Sequence, residues 1–330
     1  MTGLTLSGPT NILVMEGLTM MDASPYLEAI RAAAPAGSTV NVAPNFAEAI
    51  EYAADAEIIL GIVNERLFEH TPKLRWVHAI ASGVDMFMFD DFINSTVVLT
   101  GEKGLVGGHL ADTGWGLLLA LTRQIHTAIR LGPEAWDHRV EMRRNEIELE
   151  GATMGIVGFG GTGRAIAKRA VAFGMHTSAV DVFTSEPDHG VDEIWAMDRL
   201  DDLLATSDVV AVCLPLTSET KAMFNDDLLA KMKPGSYIMN VTRGEIIDDD
   251  ALVRALDSGH LGGAALDVAA GEPLPADHPF FALPNVAMTP HTAGASQLRA
   301  PKNVARFLRN LENAQSGADF EGVVNKNAGF

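Results

Sequence analysis

The sequence predicts an α/β protein with two parallel-sheet domains, and three observations predict it. Short apolar runs alternate with helical patterns over the first third of the chain. After a polar, arginine-bearing stretch at 132–151 the alternation begins again, opening on an apolar run that ends in glycines. The chain is 330 residues long, which at about 150 residues per domain corresponds to two domains. Strands that alternate with helices imply βαβ units and hence parallel sheets. With 47% hydrophobic and 20% charged residues, the chain can bury sizeable cores, and wholesale disorder is excluded.

The elements follow in order from apolar runs of strand length and from helical periodicity. In the first alternation Asn11 to Met15 reads as a strand, Ser24 to Ala34 as a helix and Thr39 to Val42 as a strand. A helix at Phe46 to Ala54 and a strand at Glu57 to Val63 come next. Trp76 to Ile80 and Val97 to Thr100 are further short strands, with a turn-like break at Ala81-Ser82-Gly83-Val84-Asp85 between them. Gly108 to Arg130 is helical and largely apolar. The second alternation gives strands at Thr153 to Gly158, Thr177 to Asp181, Val209 to Leu214, Ser236 to Val241, Gly263 to Val268 and Val286 to Thr289. Its helices are Thr162 to Phe173, Leu200 to Thr206 and Asp249 to Ser258, and a last helix runs from Ala300 to Ala314.

Charge and cysteine content exclude several classes of function. Asp and Glu number 43 against 24 Lys and Arg, a formal net charge of −19. Phosphate backbones and anionic membranes both demand a basic surface, so neither nucleic acid nor a membrane is an expected partner. Cys213 is the one cysteine, so no internal disulfide and no cysteine-based zinc site can form, and no metal is expected. The chain carries no Lys or Arg before Arg31, unlike a secretory or transit signal. The most apolar helical stretch, near Trp115 to Leu121, is too short to span a bilayer. The expectation is a soluble, cytoplasmic protein.

Gly158-Phe159-Gly160-Gly161-Thr162-Gly163 forms a G-x-G-x-x-G loop between a strand and a helix, the context that this motif requires. The first glycine permits the tight turn, the second lets backbone approach a pyrophosphate, and the third lets helix and strand pack closely. The helix N-terminus then presents free N–H groups to phosphate oxygens. Asp181 closes the next strand, where an acid accepts hydrogen bonds from ribose hydroxyls. No Lys or Arg lies between Asp181 and Arg199 to receive a 2′-phosphate. The expected cofactor is therefore NAD(H) rather than NADP(H).

Three further segments lie at strand ends, where open α/β sheets build their sites. They are Asn240-Val241-Thr242-Arg243-Gly244, then Ala265-Leu266-Asp267-Val268 with Gly271-Glu272-Pro273, and Thr289-Pro290-His291-Thr292-Ala293-Gly294. An arginine offers a planar fork to a carboxylate, and a histidine held by a carboxylate serves as general acid or base. Asp248 to Asp250 precede a helix and read as N-terminal capping.

In these segments, together with Leu214-Pro215-Leu216-Thr217-Ser218-Glu219-Thr220 and Met232-Lys233-Pro234-Gly235, the chain resembles the D-isomer-specific 2-hydroxyacid dehydrogenase family. The resemblance covers Gly151 through Gly294 and, more weakly, Ser82-Gly83-Val84-Asp85 in the first domain. It implies two Rossmann-like domains, with a nucleotide domain (108–298) inserted into a flavodoxin-like substrate domain made of 1–107 and the returning helix of 299–330. It implies that Arg243 binds the substrate carboxylate and polarises the keto group, that His291 is the proton donor and acceptor, and that Glu272 pairs with it. Asp267 would lie near the nicotinamide, and the amides of Ser82, Gly83 and Val84 would help hold the substrate carboxylate. Gly158, Gly160, Gly161, Thr162, Gly163, Asp181, Pro215 and Thr242 complete the expected cofactor contacts. Many family members carry Arg-Ile where this chain has Gly161-Thr162.

The implied activity is NAD-dependent interconversion of a 2-keto acid and a D-2-hydroxy acid, of glyoxylate or hydroxypyruvate type or bulkier, in a homodimer. Trp136 falls where family dimers exchange contacts. Glu272 argues against formate dehydrogenase, which places glutamine beside its histidine. Two alternatives stand beside this reading: a phosphoglycerate dehydrogenase-like enzyme, and an NAD(H)-sensing corepressor-type binding module of the same fold. Met86, Phe87, Met88 and Phe89 could line an apolar pocket, with core packing the stronger expectation.

Overall fold

The computed structural model describes residues 4–16, 24–183 and 187–330. The chain divides into two compact units, one of residues 1–105 and 296–330 and the other of 106–295.

The first unit is built on a five-stranded parallel sheet. Its strands are β1 (Asn11–Met15), β2 (Thr39–Ala43), β3 (Ile58–Leu60), β4 (Trp76–His78) and β5 (Val98–Thr100), in the order β2-β1-β3-β4-β5. Ile12 to Met15 are buried without alternation, as expected of a strand covered on both faces. The helix Phe46–Ala53 starts where Asn45 Oδ1 accepts the Glu48 amide at 3.0 Å, satisfying one of the donors that a helix start leaves unpaired.

The C-terminal helix Arg299–Ser316 belongs to this unit. Val304, Phe307, Leu311 and Ala314 recur at helical spacing and enter its core. The Phe307 ring lies 5.1 Å from Trp76. Glu102, almost fully buried, binds Arg299 through both carboxylate oxygens and also receives Asn303 Nδ2. This pair joins the two stretches of chain that make up the unit. His78, fully buried on β4, has Nδ1 2.7 Å from Thr100 Oγ1, which also accepts Trp76 Nε1–H at 2.8 Å.

The second unit carries a seven-stranded parallel sheet. Its strands are β6 (Thr153–Val157), β7 (His176–Val180), β8 (Glu193–Trp195), β9 (Val209–Val212), β10 (Tyr237–Asn240), β11 (Gly263–Leu266) and β12 (Val286–Met288). The order is β12-β11-β10-β9-β6-β7-β8. The chain leaves β6 toward β7 on one side and returns to β9 on the other, so the switch point lies at the end of β6. Both sheets thus have the parallel α/β architecture that the alternation of strands and helices predicts.

Several local features differ from the sequence expectation, among them short helices at Glu65–Phe68, Asp90–Asn94, Arg139–Asn145 and Asp226–Leu229. The helix expected over Gly108 to Arg130 is two helices, Gly107–Thr122 and Ile125–Leu131. Gln124 adopts a left-handed φ of 55° between them, and its side-chain amide returns to Leu121 O. Neither Gly nor Pro marks this break. The edge strand β8 has no signal in the sequence: it is a three-residue, half-exposed segment among acidic residues, too short for a period to show. Among the described residues no helix is long and apolar enough to cross a membrane.

Candidate active site

At the end of β6, Gly158 takes a φ of +95° and donates its amide to Val180 O at 2.8 Å. A Cβ there would lie 2.7 Å from Cys213 O, and one on Gly163 would lie 2.3 Å from Gly158 O. Larger residues at either place would push the loop off the sheet. Gly160 differs, since a Cβ on it would meet nothing within 4 Å. That open space lies at the N-terminus of the helix Gly161–Ala172. Gly161 and Thr162 open this helix, and the amides of a first turn have no intrahelical acceptors. These residues therefore fit a pyrophosphate.

Asp181 follows β7 and ties the loop in place. Its Oδ2 accepts the Phe159 amide at 2.6 Å and its Oδ1 accepts the Phe183 amide at 2.8 Å. A cation also reaches this loop from the helix, where Arg164 precedes Asp181 in the chain. Its guanidinium lies over the Phe159 ring at 4.7 Å, and Nε donates to Asp188 at 3.1 Å. Pro215 lies in the turn after β9, where its carbonyl accepts Thr220 Oγ1–H at 2.7 Å. Cys213 is partly exposed, yet burial pushes its thiol up to about 12, so it is a poor source of thiolate.

β10, β11 and β12 are hydrogen-bonded neighbours, so the segments that follow them emerge along one edge of the sheet. After β10, Asn240 Oδ1 accepts the Thr242 amide at 3.1 Å, while Asn240 Nδ2 donates to Arg243 O at 2.8 Å. The half-buried Arg243 side chain donates from Nη1 to Thr242 O. A Cβ on Gly244 would lie 2.0 Å from the Ala269 carbonyl carbon, so only glycine lets the turns after β10 and β11 meet.

After β11, Asp267 is 1% exposed. Its carboxylate accepts Thr289 Oγ1–H at 2.6 Å and the amides of Thr292 and Ala293, each at 2.9 Å. In this structure Asp267 holds the turn that carries His291. That turn is strained, since His291 sits at a φ of +53°, a conformation unusual for residues other than glycine.

Glu272 completes the arrangement. Its Oε1 accepts the Ala269 amide at 2.9 Å, and its Oε2 lies 2.6 Å from His291 Nδ1. A carboxylate at Nδ1 selects the tautomer with Nδ1–H donating, which leaves Nε2 to accept or release a proton. The His291 side chain is 47% exposed, so that nitrogen can be reached. Of the acidic run at 248–250, only Asp248 caps the helix, accepting the Ala251 amide at 3.0 Å. Asp249 turns instead to the Ala270 amide, also at 3.0 Å.

A match to the family model "D-isomer specific 2-hydroxyacid dehydrogenase, NAD binding domain" spans residues 115–293. The chain belongs to the D-isomer specific 2-hydroxyacid dehydrogenase family. It is 36% identical to a glyoxylate/hydroxypyruvate reductase B of Pectobacterium carotovorum over 279 residues, 82% of this chain and 86% of that one. It is 32% identical to a glyoxylate reductase of Korarchaeum cryptofilum over 289 residues, 84% and 85% of the two chains. A family dehydrogenase from Xanthobacter autotrophicus, solved with NADPH and MES, superposes with a TM-score of 0.79 at 26% identity. That match covers 98% of this chain and all of the other. The fold is thus one that binds NAD(H) or NADP(H), and oxidoreduction of 2-hydroxy and 2-keto acids is the chemistry of the family.

Not all the residues expected in the site lie in the second unit. Ser82, Gly83 and Val84 follow β4 in the first, with Ser82 exposed and Val84 buried. Phe87 is fully buried in the core of that unit, Met88 and Phe89 pack against it, and Met86 is exposed. Among the described residues no group of three or more His, Cys, Asp or Glu side chains is placed to hold a metal ion.

Proposed function

We propose that this chain reduces a short 2-keto acid of the glyoxylate or hydroxypyruvate type to the D-2-hydroxy acid with NADH, and runs the reverse reaction with NAD. The observation that carries this reading is the 2.6 Å contact between Glu272 Oε2 and His291 Nδ1, beside an arginine on the neighbouring strand end. Gly158, Gly160, Gly161, Thr162 and Gly163 would hold the cofactor pyrophosphate and Asp181 the ribose, and Pro215 and Thr242 would complete its contacts. When bound, NADH supplies the hydride that the carbonyl carbon accepts.

The chain's own residues do the rest. His291 Nε2 delivers a proton to the carbonyl oxygen, and Glu272 orients the ring and stabilises the imidazolium. The Arg243 fork engages the substrate carboxylate and stabilises the negative charge that develops on the keto oxygen. In the direction of oxidation, neutral His291 accepts the hydroxyl proton.

Asp181 favours NAD over NADP, because a carboxylate accepts ribose hydroxyls and repels a 2′-phosphate. The protein works as a cytoplasmic homodimer in this reading. Ile129, Trp136 and Val140 are exposed by 76%, 79% and 63% on the helical segments of 125–145, and a second copy would cover such apolar side chains. Sedimentation analysis tests that point.

The reading itself is tested by NADH oxidation over 2-keto acids of graded size, from glyoxylate through hydroxypyruvate and pyruvate to bulkier acids. Turnover of the small acids is expected. Tight NADH binding without turnover across the panel would instead support an NAD(H)-sensing binding module, and oxidation of phosphoglycerate a phosphoglycerate dehydrogenase.

A further inference from the structure

The geometry points to Asp249 as a positioning residue for the Glu272–His291 pair, acting through the backbone of the turn from Ala269 to Glu272. The inference rests on the dehydrogenase chemistry proposed above. Consecutive amides of this turn end on different carboxylates: Ala269 N–H donates to Glu272 Oε1 at 2.9 Å, and Ala270 N–H donates to Asp249 Oδ2 at 3.0 Å. Glu272 can meet His291 Nδ1 only while this turn keeps its shape. Gly244 closes the turn from another side, by backbone contact at Ala269. Asp249 therefore anchors the segment that carries the partner of His291.

The charge around Asp249 makes this anchor sensitive to pH. The side chain is largely buried, as is His278, whose Nε2 lies 3.9 Å from Asp249 Oδ2. Burial pushes the Asp249 carboxyl up to about 6 against the pull of the Ala270 amide, and Asp248, Asp250 and Glu245 add to the rise. Asp248 and Asp250 flank it in sequence, Glu245 comes from the turn after β10, and His278 comes from the loop beyond Glu272. Above that pH the anion holds the Ala270 amide. Below it a neutral acid accepts the same hydrogen bond more weakly. Asp249 thus supplies a group to the acid limb of the rate profile.

The test compares wild type, Asp249→Asn, His278→Gln and Asp250→Asn as full-length enzymes. Asp249→Asn is expected to lower kcat on the order of 3- to 10-fold, with KM for NADH unchanged, and to remove the limb near pH 6 from the kcat profile. In a Glu272→Gln background the same substitution should cost little more, because both act through one contact. His278→Gln keeps the Ala270 hydrogen bond and should keep the limb. The exposed Asp250→Asn keeps the Ala270 hydrogen bond and should move the limb to lower pH without removing it, because Asp250 adds to the rise at Asp249. Hydrogen exchange of the 269–272 amides should accelerate in Asp249→Asn. A wild-type profile in Asp249→Asn would overturn the inference, as would a fully additive loss with Glu272→Gln. If the wild-type enzyme turns over no keto acid, the parent chemistry fails by itself. Unchanged exchange at 269–272 would separately overturn the anchor.

Discussion

His291 donates its backbone amide to the carbonyl oxygen of Asp267 at 2.7 Å, and the Asp267 side chain accepts the amides of the two residues that follow His291. A buried carboxylate thus stabilises the left-handed backbone of the residue proposed to transfer the proton. The hydrogen bonds offset strain of roughly 1–3 kcal/mol.

Asp267→Asn should expose this dependence. The amide must turn an N–H₂ group toward a backbone N–H, which leaves a buried donor unpaired. The expected loss is about 2–4 kcal/mol of stability, together with about a tenfold fall in kcat as His291 loses its orientation. Urea unfolding and steady-state kinetics check both. Unchanged kcat would show that the turn keeps its shape without the carboxylate.

His78 sets a pH dependence of stability far from the chemistry. Burial, aided by Arg306, lowers its pKa from 6.5 to about 3. The folded protein keeps the ring neutral where the unfolded chain binds a proton, so stability falls as the pH drops below 6.5. The slope is about 1.4 kcal/mol per pH unit down to the folded value. Between pH 6.5 and 5 that amounts to about 2 kcal/mol. His78→Gln should flatten this part of the pH dependence measured by urea unfolding, even though the variant is less stable throughout.

Asp181→Ala removes an acceptor that also holds the Phe159 amide. KM for NADH should rise about tenfold, and the preference for NADH over NADPH should narrow, since Arg164 stays close to the loop. Kinetics with both cofactors decide this. An unchanged ratio would move selectivity away from Asp181.

A chain of net charge −19 does not steer anionic NADH and a keto acid by its overall field. In the reading proposed above, attraction is local, at the glycine-loop helix end and at Arg243. The expected salt dependence of kcat/KM is modest. Arg243→Ala should cost about 10²- to 10³-fold in kcat/KM, and Arg243→Lys should also be damaging because the planar fork is lost. Neutralising exposed acids should change little.

Residues whose chemistry is local in sequence were legible before the structure. The glycine loop is read from a strand, a turn and a helix that are contiguous. Arg243, Glu272 and His291 stand just beyond apolar runs, where parallel sheets present side chains. Part of what escaped depends on partners distant in sequence. Nothing near Arg164 shows that it packs on Phe159 and reaches Asp188, and nothing in the run Asp248-Asp249-Asp250 says which acid caps the helix and which turns to Ala270. The break at Gln124 has no Gly or Pro to announce it, because a side-chain hydrogen bond to Leu121 supports it.

The most direct test of the central claim is His291→Ala, assayed for NADH binding by fluorescence and for turnover of the best keto acid found. The account predicts NADH binding as in wild type and a fall in kcat of about 10²- to 10⁴-fold. A near-normal kcat in that variant would contradict it.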